Sequence, residues 1–452
     1  MDDCTAVVLA AGKGSRMKSN LPKVLHPLAG RPMARYVIDA VREAGCARIL
    51  VVVGHESQQV RERLGEDVQY VVQTSQLGTG HAVLQARGML QGWSGDLLVM
   101  VGDTPLIRPH ILANLLSRHR LSGAAVTVLT GLGGYREGAG RIKRDSNGLV
   151  TGIVEEEEAT EAERQISEWN TGIYCLRAPW LWGFLDQLPV HSNGEYYLTD
   201  VVLAAASGGA RVEAVGLQDA GECLGINSRV ELSLAEGVLR QRIRERLMRE
   251  GVTLMDPATT FIDNDVQIEP DTVIYPNTFL QGKTRIGRGC LIGPNTQISA
   301  STIGDECTVL SSMVEDAILE SGVDVGPFSH VRAGVYLETG VHVGNFVELK
   351  QSHLGRGTKV GHFSYVGDAQ VGRDVNIGAG TVTANYDGKT KHQTIIEDGV
   401  FIGSDSTLVA PVHVGAGATT GAGSVVTRDV PSGAVAYGVP ARVQPRKRTK
   451  DE

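Results

Sequence analysis

From Phe261 to Ser299 an aliphatic side chain recurs at every sixth position: Ile262, Ile268, Ile274, Leu280, Ile286, Ile292 and Ile298. A short residue precedes each later one by two positions: Val266, Thr272, Thr278, Thr284, Cys290 and Thr296. A helix repeats every 3.6 residues and a strand every 2, so neither gives this period. Six residues fit one short strand plus one corner. Three such hexads close a triangular coil with the aliphatics stacked inside, the signature of a parallel β-helix. The period restarts at Leu319, Val325, Val331, Leu337, Val343 and Leu349, and again at Leu354, Val360 and Val366. Val371 and Ile377 follow, then Ile396, Ile402, Leu408, Val414, Thr420 and Val426. One-residue slips of phase predict bulges at corners. The gap between Ile377 and Ile396 predicts an extruded loop over Thr383–Thr394. A β-sandwich would instead alternate, with turn signals about every 8–12 residues.

The first half has a different rhythm. Thr5–Ala10 is a continuous apolar run, suited to a buried parallel strand. Met33–Ala44 predicts a helix, Arg48–Val53 a strand, Ser57–Leu64 a helix and Val68–Val72 a strand. Gly80–Gly88 predicts another helix and Leu97–Val101 another buried strand. This alternation predicts a parallel sheet with helices on both faces, continuing less cleanly to about Gly225. Asn227–Glu250 predicts one helix, with Val230, Leu234, Val238, Ile243 and Leu247 on one face. Its arginines interleave with Glu245 and Glu250, which reads as a solvated linker helix more readily than as a nucleic-acid surface. The expected organisation is therefore 1–226, an α/β domain; 227–250, a linker helix; 251–440, a β-helix; and 441–452, a basic disordered tail.

Composition narrows the function class. A chain of 452 residues with 42% hydrophobic residues can bury two or three cores. A net charge of −8 argues against general binding to nucleic acid or to a membrane surface. The six cysteines (Cys4, Cys46, Cys175, Cys223, Cys290 and Cys307) show no metal or disulfide spacing and read as reduced thiols of a cytoplasmic protein.

Two stretches in the first half carry chemistry. After the first strand comes Ala11-Gly12-Lys13-Gly14-Ser15-Arg16-Met17, with Lys23 nearby. Backbone N–H groups around the glycines can converge on an anion, and the cations add charge; the alternative is a structural turn. The spacing matches neither the dinucleotide fingerprint nor the P-loop. Placed at a strand's carboxyl end, the loop suits a nucleoside triphosphate. Asp103, in Gly102-Asp103-Thr104-Pro105, follows a buried strand, where a carboxylate can hold Mg²⁺ beside phosphates or simply make a turn.

Leu9–Met17 with Pro22-Lys23, Gln76-Leu77-Gly78-Thr79-Gly80 and Gly102-Asp103 resembles the nucleotide-sugar pyrophosphorylases. Joined to a hexad β-helix, the chain resembles, over nearly all of its length, the bifunctional N-acetylglucosamine-1-phosphate uridyltransferase/glucosamine-1-phosphate N-acetyltransferase family. The resemblance implies an α/β Rossmann-like nucleotidyltransferase domain followed by a left-handed parallel β-helix of hexapeptide repeats. Leu9, Ala10, Ala11 and Gly12 would hold uridine through their backbone, and Gln73, Gly78 and Thr79 would complete the uracil pocket. Arg16 and Lys23 would neutralise the triphosphate. Val101, Gly102 and Asp103 would lie beside the nucleotide sugar. Gly140, Glu155, Asn170 and Thr171 would contact N-acetylglucosamine, and Asp103 with Asn227 would hold Mg²⁺. Val101 stands where relatives often carry tyrosine. The rest of the acidic run, Glu156–Glu158, is expected to be a solvated face.

In the β-helix, Arg332 and Lys350 lie eighteen residues apart, one full coil, and so stack as a phosphate clamp. An acyl transfer from a thioester to an amine needs a base, which an imidazole can supply. The resemblance makes His362 that base and assigns Arg332 and Lys350 to the sugar phosphate. Tyr365, Asn376, Asn385 and Tyr386 would surround the acetyl acceptor, with Glu348 facing the same side. Ala379, Ser404 and Ala422 would line the acetyl-coenzyme A site. Asn385 and Tyr386 would also reach that site, and Arg442 would take the place of the family's arginine before Val-Pro, which this chain lacks. The expected partners are small molecules: UTP, glucosamine-1-phosphate, N-acetylglucosamine-1-phosphate and acetyl-coenzyme A. A homotrimer is expected, with His362 and Ala422 meeting from different subunits. No nucleic-acid or membrane partner is expected.

Overall fold

The computed structural model describes residues 4–54, 56–133 and 138–444, which form two compact units, Met1–Leu239 and Arg240–Glu452. The first unit is built on a nine-stranded sheet. Its main path runs Val212–Leu217, Val126–Leu132, Glu168–Arg177, Asp96–Val101, Cys4–Ala10, Arg48–Val53, Gln69–Val72. Cys4–Ala10 pairs in parallel with Arg48–Val53 on one side and with Asp96–Val101 on the other. Successive connections thus leave the first strand in opposite directions, which opens a crevice beyond its carboxyl end.

The wholly parallel sheet expected from the alternating pattern is not what forms. Glu168–Arg177 runs antiparallel to both of its neighbours. Between Leu132 and Glu168 the chain makes a hairpin, Arg141–Arg144 with Val150–Val154, and one four-residue helix. It therefore re-enters the sheet at the end it left, and its return strand must run backwards. Apolar side chains cover both faces in two clusters, one around Val8, Ile38, Val51 and Leu112, the other around Val7, Val52, Val99 and Val201.

The helix Arg229–Arg249 opens with a capping box: Glu231 N–H donates to Ser228 Oγ (3.3 Å), and Ser228 N–H donates to Glu231 Oε2 (2.7 Å). Its buried stripe differs from the expected one. Val230, Leu234 and Val238 are exposed, whereas Ala235, Leu239, Ile243 and Leu247 are buried. Steps of four residues keep this stripe nearly on one side; of the expected set, Ile243 and Leu247 lie on it, and Val230, Leu234 and Val238 lie off it. Nor are all its arginines solvated. Arg240 donates to Ile262 O (3.0 Å) and lies over the Phe261 ring, and Arg244 donates to Thr260 O (3.4 Å). These carbonyls belong to the β-helix strand Thr260–Ile262, which starts its sheet and would otherwise present an open edge.

The second unit is a left-handed parallel β-helix whose three faces carry twelve, ten and nine strands. Every aliphatic of the hexad series is buried. Hydroxyls at the short inner positions close the corners: Thr272 donates to Gly287 O (2.8 Å) and Thr278 to Tyr275 O (2.8 Å). The phase slips are not bulges. Leu280 pairs with Ile298, eighteen residues on, but Ile286 pairs with Ile303 and Ile298 with Val314, so a corner loses a residue while the strands stay in register. A shortened corner is tolerable because corner residues adopt left-handed backbone and make no ladder, whereas a bulge would break the inner stack. One coil is long: Val371 pairs with Ile396 and Thr383 with Leu408. Thr383 and Thr394 themselves sit in strands, so the extruded loop spans 385–393. At the chain's end, Ala441–Gln444 forms an antiparallel strand against Val435–Gly438 rather than a disordered tail; the rest of that expected tail, 445–452, lies outside the described residues.

Candidate functional site

The crevice of the first unit is a cleft of about 1690 Å³. Leu9, Ala10, Ala11, Gly12, Lys23, Gln73, Gly78, Thr79, Val101, Asp103 and Glu155 all line it. The loop that follows the first strand turns through Gly14 in left-handed backbone; a Cβ there would lie 2.6 Å from Lys23 Cβ. Gly78 is equally constrained, since a Cβ would meet Tyr196 O at 2.6 Å. Gln73 is buried and donates to Gly78 O (3.1 Å), tying the far wall to its own strand. Gln76, the first residue of the Gln76–Gly80 motif, donates to Ala11 O (2.6 Å) and fixes the glycine-rich loop from across the cleft.

Lys23 contacts the Asp103 carboxylate directly and donates to Asn227 Oδ1 at 3.0 Å. Asp103 and Asn227 are far apart in sequence. They meet because Ile226 N–H donates to Asp103 O (2.9 Å) and Glu231 accepts from Asn227 N–H (2.7 Å). A carboxylate oxygen and an amide oxygen thus converge on one cation, Lys23, beside the glycine-rich loop. This is a hard-oxygen pair of the kind Mg²⁺ takes when phosphates and water supply its other ligands. Among the described residues no cluster of three or more His, Cys, Asp or Glu could hold a metal by itself.

Not every expected residue reaches the cleft. Arg16 is exposed on the short turn Ser15–Met17 and does not line it. Thr171 is buried and donates to Leu129 O (2.7 Å) within the sheet irregularity between Asn170 and Ile173, so its hydroxyl is committed to the fold. Asn170 Oδ1 accepts from Gly172 N–H (3.0 Å) and Tyr174 O–H (2.9 Å). Gly140 lies beside Glu155: a Cβ would sit 3.2 Å from Glu155 Oε2. Gly102 donates from its N–H to Leu9 O (2.9 Å), which holds Asp103 at the sheet edge. Burial raises the Glu155 pKa against the hydrogen bond it accepts from Thr199 Oγ1 (2.7 Å). Glu156 is not part of a solvated face; it pairs with the buried Arg141 at 2.8 Å. Asn193, Glu195 and Tyr197 also line the cleft, and no periodic pattern marks them in the sequence.

In the β-helix, Asn345 pairs with His362 on adjacent coils. His362 O accepts from Gly380 N–H (3.1 Å), Ala379 O from Asp405 N–H (2.7 Å) and Ser404 O from Gly423 N–H (2.8 Å). This ladder stacks Asn345, His362, Ala379, Ser404 and Ala422 in one column along one corner of one chain. Each chain therefore carries its own His362 and Ala422 on the same corner. His362 Nδ1 donates to Asn345 Oδ1 at 2.5 Å, which leaves Nε2 with a free lone pair on an exposed ring. Asn345 precedes His362 by seventeen residues, one shortened coil, so the eighteen-residue spacing that relates Arg332 to Lys350 does not pick it out.

The clamp residues occupy the next face. Val331 pairs with Leu349, which sets Arg332 beside Lys350 as the eighteen-residue spacing implied. Arg332 also pairs with Glu348 at 2.7 Å, which occupies the carboxylate expected to face the acceptor. Tyr365 pairs with Glu348 on this face, while Asn376 pairs with Lys359 on the face of His362. The long loop is a small hairpin bridged at Tyr386 and Lys391. It places Lys391 against Lys350, whose pKa it depresses, with Arg332 adding to the effect. Three cations thus converge where two were expected. Asn385 donates to the Tyr365 hydroxyl (3.4 Å) and contacts Asp368. Arg442 stands opposite Tyr437 on the terminal hairpin.

Comparison with known proteins agrees with both halves. Residues 6–243 match the MobA-like NTP transferase domain, and residues 283–310 and 393–428 match the hexapeptide repeat of succinyl-transferase. The chain is 52% identical over 433 residues to the bifunctional protein GlmU of Heliobacterium modesticaldum, covering 96% of this chain and 94% of that one. It is 49% identical over 440 residues to the bifunctional protein GlmU of Pelobacter propionicus, covering 96% of each. With a glycine-rich loop and an Asp103–Asn227 oxygen pair lining or flanking the cleft of one unit, and an oriented histidine on a hexapeptide coil in the other, the chain belongs to the family of bifunctional GlmU proteins, nucleotidyltransferase and acyltransferase in one polypeptide.

Proposed function

We propose the following division of labour for an enzyme that makes UDP-N-acetylglucosamine in two steps. The β-helix acetylates glucosamine-1-phosphate from acetyl-coenzyme A; the α/β unit then couples N-acetylglucosamine-1-phosphate to UTP and releases pyrophosphate. The observation that carries this reading is the corner column, in which a histidine with a free Nε2 adjoins the small residues Ala379, Ser404 and Ala422. Small side chains leave room for an extended thioester beside the base.

In acetyl transfer, Arg332, Lys350 and Lys391 hold the sugar phosphate, and Tyr365, Asn376, Asn385 and Tyr386 surround the acceptor. His362 Nε2 takes the proton as the amine attacks the thioester carbonyl; the C–S bond breaks and the coenzyme leaves as its thiol. Asn345 keeps Nδ1 protonated, so Nε2 is the basic nitrogen. Arg442 supports the coenzyme.

In uridylyl transfer, the Leu9–Gly12 backbone with Gln73, Gly78 and Thr79 seats the nucleoside. Lys23 neutralises the triphosphate, with Arg16 acting from the exposed turn. Gly140, Glu155 and Asn170 face the sugar, and Val101 and Gly102 back the site. Asp103 and Asn227 would hold Mg²⁺, which when bound neutralises phosphate charge. The sugar phosphate is already an anionic nucleophile, so alignment and charge neutralisation suffice without a general base. We propose a cytoplasmic homotrimer acting on small molecules alone; no helix among the described residues is long and apolar enough to cross a membrane.

The test is a single mixture of glucosamine-1-phosphate, acetyl-coenzyme A, UTP and Mg²⁺, with products read by mass. UDP-N-acetylglucosamine is expected. A nucleotide sugar without the acetyl group, or none, would overturn the reading.

A further inference from the structure

His191 sits behind the part of the cleft wall formed by Asn193, Glu195 and Tyr197. Its Nε2 lies 2.9 Å from Asp200 Oδ2 and its Nδ1 3.0 Å from Glu158 Oε1. Carboxylate oxygens accept, so both ring nitrogens must donate. A neutral imidazole has one N–H and an imidazolium has two, so only the charged ring satisfies both partners. The ring also stacks on Tyr197, with centroids 4.1 Å apart, a contact that favours a cation over the phenol face.

The groups around this ring come from three segments. Glu158 follows the strand Val150–Val154, Asp200 opens the helix Asp200–Ser207, and Tyr197 and Glu195 belong to the loop itself. Glu155 also acts on the ring, and Glu157 on Tyr197. Among the described residues, no Lys or Arg forms an ion pair with Glu155, Glu157, Glu158, Glu195 or Asp200. Burial opposes the charged ring, but the Asp200 and Glu158 carboxylates outweigh it and hold its pKa above the ordinary imidazole value.

The ring and the wall are mechanically joined. His191 N–H donates to Glu195 O (2.9 Å), and His191 O accepts from Gly194 N–H (2.8 Å). Beyond the turn, Tyr196 exchanges backbone hydrogen bonds with Leu77 and Gly80 at 2.9 Å each, and Thr199 donates to Glu155. The segment therefore spans from the Gly78 wall to Glu155. Asn193 Nδ2 donates to the Tyr197 hydroxyl oxygen at 2.6 Å, which leaves the phenolic hydrogen for an acceptor in the cleft.

We propose that His191 is a positioning residue for uridylyl transfer: as an imidazolium clasped by Glu158 and Asp200, it fixes the Asn193–Tyr197 wall against N-acetylglucosamine-1-phosphate. This rests on the reading above that the cleft is the uridylyl-transfer site with the sugar beside Glu155. Above the raised pKa the ring can serve only one carboxylate, the clasp opens and affinity for the sugar phosphate falls.

The experiment is steady-state uridylyl transfer by the full-length chain and its His191→Gln variant, across about pH 6 to pH 9. Glutamine keeps a polar contact but carries no charge. In the variant, KM for the sugar phosphate should rise about five- to tenfold at pH 7, while kcat and KM for UTP stay within about twofold. The wild-type sugar KM should climb with pH relative to the variant's; titration of the substrate's own phosphate is common to both and cancels. Parallel profiles, or an unchanged sugar KM, would overturn the proposal. A rise confined to the KM for UTP would also overturn it, by showing that this wall serves the nucleotide. Absence of uridylyl transfer in the wild type would strike the underlying reading instead. Acetyl transfer by the same variant reports whether the chain is intact. Should the variant not fold, ¹⁵N spectra of the wild-type ring decide: both nitrogens should be protonated at pH 7, and a neutral ring would overturn the proposal.

Discussion

Substitution of Asp103 or of His362 is expected to remove one activity and leave the other, because the two side chains sit in different units. Asp103→Ala removes one of the two oxygens that converge on Lys23. It should abolish uridylyl transfer and spare acetyl transfer, as parallel assays of both reactions will show. His362→Ala should do the reverse, lowering acetyl transfer by about 10²–10⁴-fold, the usual contribution of a general base. Asn345→Ala should lower the same rate by less, with KM for acetyl-coenzyme A unchanged, because it orients the base without touching the coenzyme. Glu155 gives a pH-dependent outcome. Burial raises its pKa in the folded protein, so the fold binds that proton more tightly than the unfolded chain does. Stability is therefore lost as pH rises through the ordinary carboxylate range and up to the raised value. Glu155→Gln should raise Tm at pH 7 but not near pH 4, while weakening the sugar. Equal shifts at both pH values would contradict burial as the cause.

The coil and the loop are the elements that matter in the second unit. Ile298 is fully buried in the inner stack, so Ile298→Ala should cost about 2–5 kcal/mol in denaturant unfolding. The hairpin loop is held by Asp387, whose carboxylate accepts from Lys389 and Thr390 N–H at 2.8 Å each and from His392 Nε2 at 2.8 Å. These donors depress the Asp387 pKa well below the usual carboxylate range. Asp387→Ala should loosen the hairpin, withdraw Lys391 from the clamp and raise KM for glucosamine-1-phosphate, leaving uridylyl transfer unchanged. The expectation of a loop here was sound because a broken hexad period must put its extra residues outside the prism. That the loop delivers a third cation was not legible: Lys391 and Lys350 are brought together by coil register, and no local spacing relates them.

For the whole molecule, the faces of the β-helix bear on assembly. His362 and Asn376 lie on one face, and Arg332, Lys350 and Tyr365 on the next. In a trimer packed through these faces, a site can take its base from one chain and its clamp from another. Refolding a mixture of His362→Ala and Lys350→Ala chains should then restore about a quarter of the wild-type acetyl transfer by random assembly around a threefold axis. No recovery would confine each site to one chain. The sequence by itself determined which side chains point inward, because a six-residue period admits one kind of coil, and which loop lines the cleft, because a glycine-rich run follows a buried strand's carboxyl end. It also determined the family, through contiguous motifs. Only the tertiary structure decided the reversed strand Glu168–Arg177, the meeting of Asp103 with Asn227, the Asn345–His362 pair and the arginines that close the first coil's edge. Each of these joins residues whose separation depends on the summed lengths of coils, hairpins and helices between them. Local composition dictates backbone conformation and burial; the register that turns neighbours in space into a site is fixed only when the whole chain has closed on itself.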